Sequence, residues 1–234
     1  MNGNSQVNAA LSHPDTPLPA GGNIDQMLQQ LHAEFDPVYA MLTNYQCAIM
    51  KVETQFNILN HRLSLKDEQN PIESIKSRVK SLDSIIRKLE KLGLPLTIES
   101  AEENLRDIAG VRVVCSFVDD IYRMEKNFLA QEDVTLIQRK DYISNPKPSG
   151  YRSLHLVVTT PINTENGKKD MFVEIQLRTI AMDFWASLEH KLRYKKNLNP
   201  RLAEELAEEL KSCAEESAKL DEKMLRIRDR IAKD

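Results

Sequence analysis

The alternation of apolar and polar residues over 171–178, MFVEIQLR, predicts a β-strand in the second half of the chain. Successive side chains of a strand point to opposite faces, so the apolar positions can join a core. The other face carries Glu174, Gln176 and Arg178 in a row. An apolar helix that holds the single tryptophan, Trp185, follows directly. We therefore expect this strand to be packed inside a domain, with its polar face lining a pocket.

Helical periodicity dominates both ends of the chain. Apolar residues recur at helical spacing over 24–63, and Pro37 is expected to kink or split that helix. A polar linker follows, after which Pro71 suits the first turn of a short helix. The last helix is predicted from Pro200, and it is highly charged with an interrupted apolar stripe.

One shorter helix is marked at both ends by its flanking residues. Ser81 is typical of an N-cap and Gly93 of a C-terminal stop, which bounds a helix over 82–92. The residues before this helix are then extended. Arg78 and Lys80, two positions apart, therefore share one side of the backbone.

The remaining pattern alternates strands with helices. It predicts a strand over 111–117, a helix over 119–130, strands over 134–139 and 153–160, and a hairpin turn over 163–170. Helices would then flank a small mixed sheet, so the predicted fold class is α+β.

Composition narrows the class of protein. The chain has 41% hydrophobic and 29% charged residues and a formal net charge of −3, which excludes a uniformly basic nucleic-acid coat. No apolar run approaches the roughly 20 residues of a membrane span. The cysteines, Cys47, Cys115 and Cys213, have no CxxC spacing, which argues against a disulfide frame or a zinc site. Because the N-terminus has no signal pattern, we expect a cytoplasmic protein.

Two carboxylates stand on or beside predicted strands. Asp107 precedes a strand in the segment DIAGVR, and Glu174 lies on the polar face described above. They are the best carboxylate pair for Mg²⁺, which needs few protein ligands when substrate phosphates complete its shell. A second interpretation stays open, in which each carboxylate only pairs with a nearby arginine, as Asp107 would with Arg112.

The segment SGYRSLH is a third group that could carry chemistry. Strand alternation puts Tyr151, Ser153 and His155 on one face. A tyrosine at a loop-to-strand junction can stack on a base or be an ordinary rim aromatic. A lone histidine is more often structural than catalytic. The residues alone leave these alternatives open.

Basic side chains gather around these groups, several of them at strand ends or helix starts, where phosphate sites form. They are Arg78, Lys80, Lys88, Lys91, Arg112, Arg139, Lys147 and Arg178. The chain has no P-loop, no GxGxxG and no HExxH motif. A phosphate-handling enzyme with this sequence would therefore use arginine and lysine side chains and a metal ion.

Four segments, in this order and at this spacing, resemble the RelA/SpoT synthetase domain. They are RVKSLDSIIRKLEK, DIAGVRVVCSFVDD, KDYISNPKPSGYRSLH and VEIQLRTIAMDFWASLEHKLRYK. The resemblance covers about residues 70–196, and the combination of SGYRS-H with VEIQ-RT is highly specific. With a helical segment on each side, the chain is most similar to the small alarmone synthetases of the RelQ type.

The resemblance implies a nucleotidyltransferase-like mixed sheet flanked by helices, with long N- and C-terminal helices. It implies a GTP pyrophosphokinase, which moves pyrophosphate from ATP to the ribose 3′-hydroxyl of GDP or GTP and releases AMP. Asp107 and Glu174 would hold Mg²⁺, and Glu174 would also act on the 3′-hydroxyl. Long relatives carry a hydrolase with a His-Asp pair; none of the five histidines here precedes an aspartate, so we expect synthesis of ppGpp or pppGpp without hydrolysis.

The same resemblance assigns the remaining site residues to the two nucleotides. Those expected at ATP are Arg78, Lys80, Ser84, Lys88, Lys91 and Arg112. Those expected at GDP or GTP are Arg139, Lys147, Tyr151, His155 and Gln176, with Tyr151 stacking on guanine.

The resemblance also suggests an organisation for the whole chain. It comprises a disordered leader over 1–23, a helical segment over 24–69, a synthetase domain over 70–197 and an oligomerisation helix over 198–234. We expect a homotetramer, with (p)ppGpp or single-stranded RNA as a candidate regulator. The last helix could instead pack against the first within one chain.

Two other functions are compatible with the residues. A toxin-type relative would pyrophosphorylate tRNA or make adenosine alarmones, but the leader and the last helix are not notably basic. A non-catalytic nucleotide- or RNA-binding module should have lost Asp107 or Glu174, and both are present.

Overall fold

A computed structural model of the chain describes residues 24–67, 70–193 and 199–233. In these ranges the chain forms six helices and five strands. They are α1 (Ile24–Asp67), β1 (Ile72–Val79), α2 (Leu82–Leu92), α3 (Ile98–Asn104), β2 (Ala109–Cys115), α4 (Val118–Leu129), β3 (Thr135–Asp141), β4 (Leu154–Thr164), β5 (Gly167–Thr179), α5 (Ile180–Arg193) and α6 (Pro200–Ile231). The leader predicted over 1–23 lies outside the described residues.

The chain divides into two compact units, residues 1–39 and 40–234. Of the first unit, the structure describes the beginning of α1. That helix runs through Pro37 as one element, so it is not split there. All further elements belong to the second unit.

The five strands form one mixed sheet in the order β1-β2-β5-β4-β3. The central pair, β2 and β5, is parallel, and the other neighbours are antiparallel. With helices packed against this sheet, the predicted α+β class is confirmed. The parallel pairing sets Gly110 beside Glu174 and Arg112 beside Gln176.

The hydrophobic core lies on one face of this sheet. The apolar side chains of β5, Met171, Val173, Ile175 and Leu177, are all buried, as their alternation predicted. They share a core with residues of α1 from Met41 onward, α2 and α4. Each fully buried side chain of this size contributes about 1.5–3 kcal/mol. This burial fixes the register of β5 and so turns its polar positions to the opposite face.

Helix α2 has the two ends that the sequence predicted. The Ser81 hydroxyl accepts a hydrogen bond from the backbone N–H of Ser84. Gly93 ends the helix in the left-handed conformation, at φ 67°, which a glycine adopts without steric cost. An N-cap of this kind contributes about 1 kcal/mol to a helix.

Three local predictions were wrong or incomplete. Pro71 does not begin a helix but leads into β1, where the backbone is extended. Helix α3, capped by Thr97, was not predicted. The hairpin between β4 and β5 is tighter than expected, because Thr164 and Gly167 still pair across it.

Helix α6 packs within its own chain, against α5 and the loop before β4. The Trp185 indole N–H donates to the Leu210 carbonyl at 2.7 Å. A Cβ on Gly150, whose φ is +86°, would lie 2.6 Å from the Cβ of Ala214. Further along α6, Arg228 donates two hydrogen bonds to Asp119 on α4. None of the helices in the described ranges is both long and apolar enough to cross a membrane.

Candidate active site

A cavity of about 270 Å³ opens on the polar face of the sheet, across β1, β2 and β5. Its lining residues come from these strands and from the segment before β2. They are Lys76, Ser77, Arg78, Asp107, Gly110, Val111, Arg112, Glu174 and Gln176. Five of them, Arg78, Asp107, Arg112, Glu174 and Gln176, are site residues predicted from the sequence.

The cavity exists because of the strand register. Gly110 is paired with Glu174 and brings no side chain to the pocket face of β2. Arg112 is paired across the sheet with Lys76 on β1 and with Gln176 on β5. The sheet thus presents carboxylates and cations on neighbouring strands of a single face.

The Asp107 carboxylate is held by two lysines that the family resemblance assigns to ATP. Lys80 and Lys88 each lie 2.6 Å from one of its oxygens. Burial alone would raise the pKa of Asp107, but the hydrogen bonds and charges of these lysines outweigh it and lower the pKa. Asp107 is therefore ionised at neutral pH, with a cation at each oxygen.

Glu174 is oriented by two neighbours on its own face. The Gln176 amide donates to one carboxylate oxygen at 3.0 Å, and His155 Nδ1 lies 3.5 Å from the other. Burial favours a higher pKa, but the hydrogen bond and charge of His155, followed by the bond from Gln176, lower the pKa of Glu174. An ionised Glu174 is thus available to accept a proton.

These contacts continue into a closed ring of five side chains, which we call the acceptor ring: Glu174, Gln176, Arg178, Tyr151 and His155. Arg178 Nη2 donates to Gln176 at 3.0 Å and to the Tyr151 hydroxyl at 2.7 Å. That hydroxyl lies 2.7 Å from His155 Nε2. Between the Tyr151 hydroxyl and Nε2 either atom can donate, depending on the imidazole tautomer, and the other ring nitrogen, Nδ1, faces Glu174.

Asp183 was not among the predicted site residues, yet it contacts two arginines of this face. Its Oδ1 atom lies 3.2 Å from Nη1 of both Arg112 and Arg178. Asp183 belongs to the first turn of α5. The sequence predicts a helix directly after the strand, but it does not predict where that helix packs against the sheet. Only the tertiary structure reveals this contact.

The other residues expected at ATP lie on α2. Ser84, Lys88 and Lys91 are four and three positions apart and so share one side of that helix. Ser84 is 2.8 Å from the N-cap hydroxyl of Ser81, and Lys91 is exposed. This side of α2 faces the cavity through the contact of Lys88 with Asp107.

An aromatic cluster stands at one end of the face, beside Tyr151 and His155. The Lys147 ammonium lies 4.6 Å from the ring centre of Tyr142 and 4.8 Å from that of Tyr151. Tyr142 also meets the ring of His155 edge-on, with centroids 5.3 Å apart. Tyr142 was missed by the sequence analysis, because its loop position gives no periodic signal.

Arg139 is not brought to this face. It is registered opposite Leu156, which is buried in the core, and its guanidinium pairs with Glu125 of α4 at 2.6 Å. A second contact, at 3.3 Å, joins it to Asp141. Its predicted contact with acceptor phosphates therefore has no support from its position.

The two carboxylates of the cavity fit a magnesium ion. Asp107 and Glu174 line the same space and offer hard oxygen ligands. The part of the chain that the structure describes holds no group of three or more histidine, cysteine, aspartate or glutamate residues suited to a metal. A pair of carboxylates suits Mg²⁺, since phosphates and water complete its shell, and does not suit an all-protein zinc site.

Comparison with known proteins gives one family. The family described as "Region found in RelA / SpoT proteins" matches residues 77–199. The chain is 47% identical over 187 residues to GTP pyrophosphokinase YwaC of Bacillus subtilis, covering 80% of this chain and 88% of that protein.

Solved structures give the same result. Small alarmone synthetase 2 of B. subtilis has a TM-score of 0.72 at 46% identity, covering 81% of this chain and 97% of that one. Small alarmone synthetase 1 of B. subtilis, bound to its product pppGpp, has a TM-score of 0.72 at 38% identity. That match covers 80% of this chain and 94% of the other.

Proposed function

The chain belongs to the RelA/SpoT family, and we infer from its cavity how it acts as a GTP pyrophosphokinase. The observation that carries the inference is that two carboxylates, Asp107 and Glu174, line one cavity together with Arg78 and Arg112. The reaction moves the pyrophosphate of ATP to the ribose 3′-hydroxyl of GDP or GTP. Such a transfer needs positioning and charge neutralisation more than covalent help.

The cations along β1, β2 and α2 are suited to the ATP phosphates. Arg78 and Arg112 line the cavity, and Arg112 Nε is buried without a hydrogen-bond partner among the described residues. An unsatisfied buried donor is costly, and a phosphate oxygen would satisfy it. Lys80 and Lys88 stand beside them and can turn from Asp107 to a phosphate when ATP arrives.

The acceptor ring is suited to the 3′-hydroxyl. Glu174 accepts the hydroxyl proton while the 3′-oxygen bonds to the β-phosphorus of ATP. The bond from that phosphorus to the α–β bridging oxygen breaks, and AMP leaves with the electron pair. His155 and Gln176 keep the carboxylate in place for this step. The guanine nucleotide meets an aromatic and cationic surface formed by Tyr151, Lys147 and the adjacent Tyr142.

We further propose that Asp107 and Glu174 hold Mg²⁺ in the working enzyme. The ion would neutralise charge on the transferring phosphates. The lowered pKa values of both carboxyls keep them ionised, as metal ligands must be.

The test of this function uses purified protein, ATP labelled at the γ-phosphate, Mg²⁺ and GDP or GTP, with products separated by thin-layer chromatography. We expect a new labelled product that requires the guanine nucleotide. Glu174→Gln should lower its rate by about 10²–10⁴-fold, the usual contribution of a general base, while leaving nucleotide binding largely intact.

One control variant and two contradicting outcomes make the test decisive. Lys51→Met, on α1, removes a charge that pairs with Asp133 and should leave the rate unchanged. Wild-type turnover by Glu174→Gln would disprove the assignment of the base. If tRNA is added and becomes labelled while no guanine nucleotide does, the chain belongs with the toxin-type relatives.

We also propose a homotetramer in the cytoplasm. Helix α5 exposes four large apolar side chains at four-residue spacing: Ile180, Phe184, Leu188 and Leu192. A continuous apolar face on a helix is normally covered by another element or by a partner protein. The free cysteines fit a reducing compartment. Regulation by (p)ppGpp or single-stranded RNA remains a further prediction, tested by adding either to the synthesis assay.

A further inference from the structure

Asp183 lies where the residues of the ATP side and those of the acceptor side meet. It is in the first turn of α5, and only 9% of its surface is exposed. Its Oδ1 atom is 3.2 Å from Nη1 of Arg112 and 3.2 Å from Nη1 of Arg178. Its Oδ2 atom is 3.8 Å from the ammonium of Lys76. A single buried carboxylate thus faces three cations from three adjacent strands.

The two arginines would repel each other without this carboxylate. Burial, and after it the charge of Arg178, lower the pKa of Arg112. Arg178 is itself 4% exposed, so little solvent reaches its side of the pair, while the Arg112 side chain is 35% exposed. Asp183 therefore supplies the counter-charge that lets both guanidinium groups occupy neighbouring positions.

Each arginine leads to a different half of the site. Arg112 lines the cavity with Asp107 and Arg78. Arg178 uses its other terminal nitrogen, Nη2, to hold Tyr151 and Gln176 in the acceptor ring.

We propose that Asp183 is a positioning residue for pyrophosphate transfer, which holds Arg112 toward the ATP phosphates and Arg178 in the acceptor ring at the same time. It fixes the separation of the two halves without touching either nucleotide. Displacement reactions depend steeply on such separation, and an error of about 1 Å can cost 10²-fold in rate. The proposal rests on the function proposed above.

The variant Asp183→Asn tests this role, because it keeps the shape of the side chain and removes its charge. We expect KM to rise for both ATP and the guanine nucleotide, and kcat/KM for ATP to fall by about tenfold, the usual effect of losing a charged hydrogen bond. A residue with a purely structural role would change thermal stability alone.

Asp119→Asn is the matched control. Asp119 also holds an arginine, with two hydrogen bonds from Arg228 at 2.9 and 2.8 Å, but it lies on α4 and lines a different cavity. Its loss should leave both KM values and kcat unchanged. If Asp183→Asn has wild-type KM values, or if both variants change them equally, the proposal is overturned.

A second background keeps the test decisive if Asp183→Asn does not fold. In an Arg178→Gln protein the repulsion between the two arginines is gone, and only Arg112 remains to be held. Adding Asp183→Asn there should still raise KM for ATP by several-fold, and an unchanged KM overturns the proposal. Failure of the proposed function looks different, since the wild-type protein would then make no labelled guanine nucleotide.

Discussion

At the scale of single residues, the site depends on ionised carboxylates whose charge is kept by their neighbours. Glu174 owes its lowered pKa first to His155 and then to Gln176, which together overcome the effect of burial. The depressed pKa keeps Glu174, the proposed base, ionised at pH values below the ordinary glutamate pKa of 4.5, so we expect the wild-type rate to fall only as pH drops through this lower pKa.

His155→Asn should move the acid limb of kcat/KM to higher pH. Without the imidazole, burial has less opposition, so the pKa of Glu174 rises and protonation removes the base earlier in an acid titration. The measurement is a pH–rate profile from about pH 3 to 8 for both proteins with the same nucleotides, so that titration of the phosphates is common to both.

His61→Asn, at an exposed histidine on α1, is the control and should keep the wild-type profile. The position of the limb, and not the height of the plateau, decides the outcome. A limb that stays in place or moves to lower pH after His155→Asn would contradict the assigned contact between His155 and Glu174.

At the scale of elements, α6 supports the loop that carries Tyr151. Gly150 precedes that tyrosine, adopts a positive φ of 86° and lies directly against Ala214 of α6. The Trp185 bond to Leu210 joins α5 to the same stretch of α6. The loop that carries Tyr151, which we propose to contact the guanine nucleotide, is therefore supported by α6.

Gly150→Ala should lower the free energy of unfolding by about 1–3 kcal/mol, because the new Cβ clashes with Ala214. It should lower it by about 1–2 kcal/mol more, because alanine is strained in the left-handed backbone conformation. It should also raise KM for the guanine nucleotide, because the displaced loop carries Tyr151. Urea unfolding and steady-state kinetics measure the two effects.

Two further variants separate the clash from the backbone strain. Gly93→Ala has a similar positive φ of 67° with no atom within 4 Å of the new Cβ, so it should show the backbone cost alone and normal kinetics. Adding Ala214→Gly to Gly150→Ala removes the clash and should recover part of the stability. No recovery would mean that α6 does not restrain this loop.

Some of the helices and strands could be predicted from the sequence, and others could not. Strand β5 and helix α2 were predicted because each carries its own signal, namely strict alternation and the capping pair Ser81 and Gly93. Helix α3 was missed because its seven residues, IESAEEN, are too few and too polar for a periodic stripe. The helix predicted from Pro71 was wrong because proline is common both at helix starts and in the approach to strands.

The site was predicted less completely, for a physical reason. Arg112 and Glu174 stand on strands whose polar positions could be read directly, and Asp107 lies just before β2; the structure places all three in one cavity. Arg139 lies in a strand with no clear alternation, and its pairing opposite Leu156 turned it toward α4. The contacts of Asp183 depend on how α5 folds back over the sheet, which no local pattern contains.

At the scale of the whole molecule, the exposed apolar line of α5 should be an interface between copies of the chain. Leu188→Arg places a charge on that line, where Leu188 is 41% exposed, and should shift a tetramer toward smaller species. Leu96→Arg, in the loop after α2 and 57% exposed, is the control. Light scattering after size exclusion measures both, and an unchanged mass for Leu188→Arg would exclude this interface.

The order of the strands has a consequence for how the enzyme acquires its activity as it folds. The acceptor ring spans only residues 151–178, most of it within the hairpin of β4 and β5. The proposed ATP side comes from segments before residue 113, and its strand β2 joins β5 through a parallel pairing that sets Ala109 beside Val173. Local hairpins close fast, and parallel pairings between distant segments close slowly. The chain should therefore assemble its acceptor half early and remain inactive until β2 is inserted beside β5.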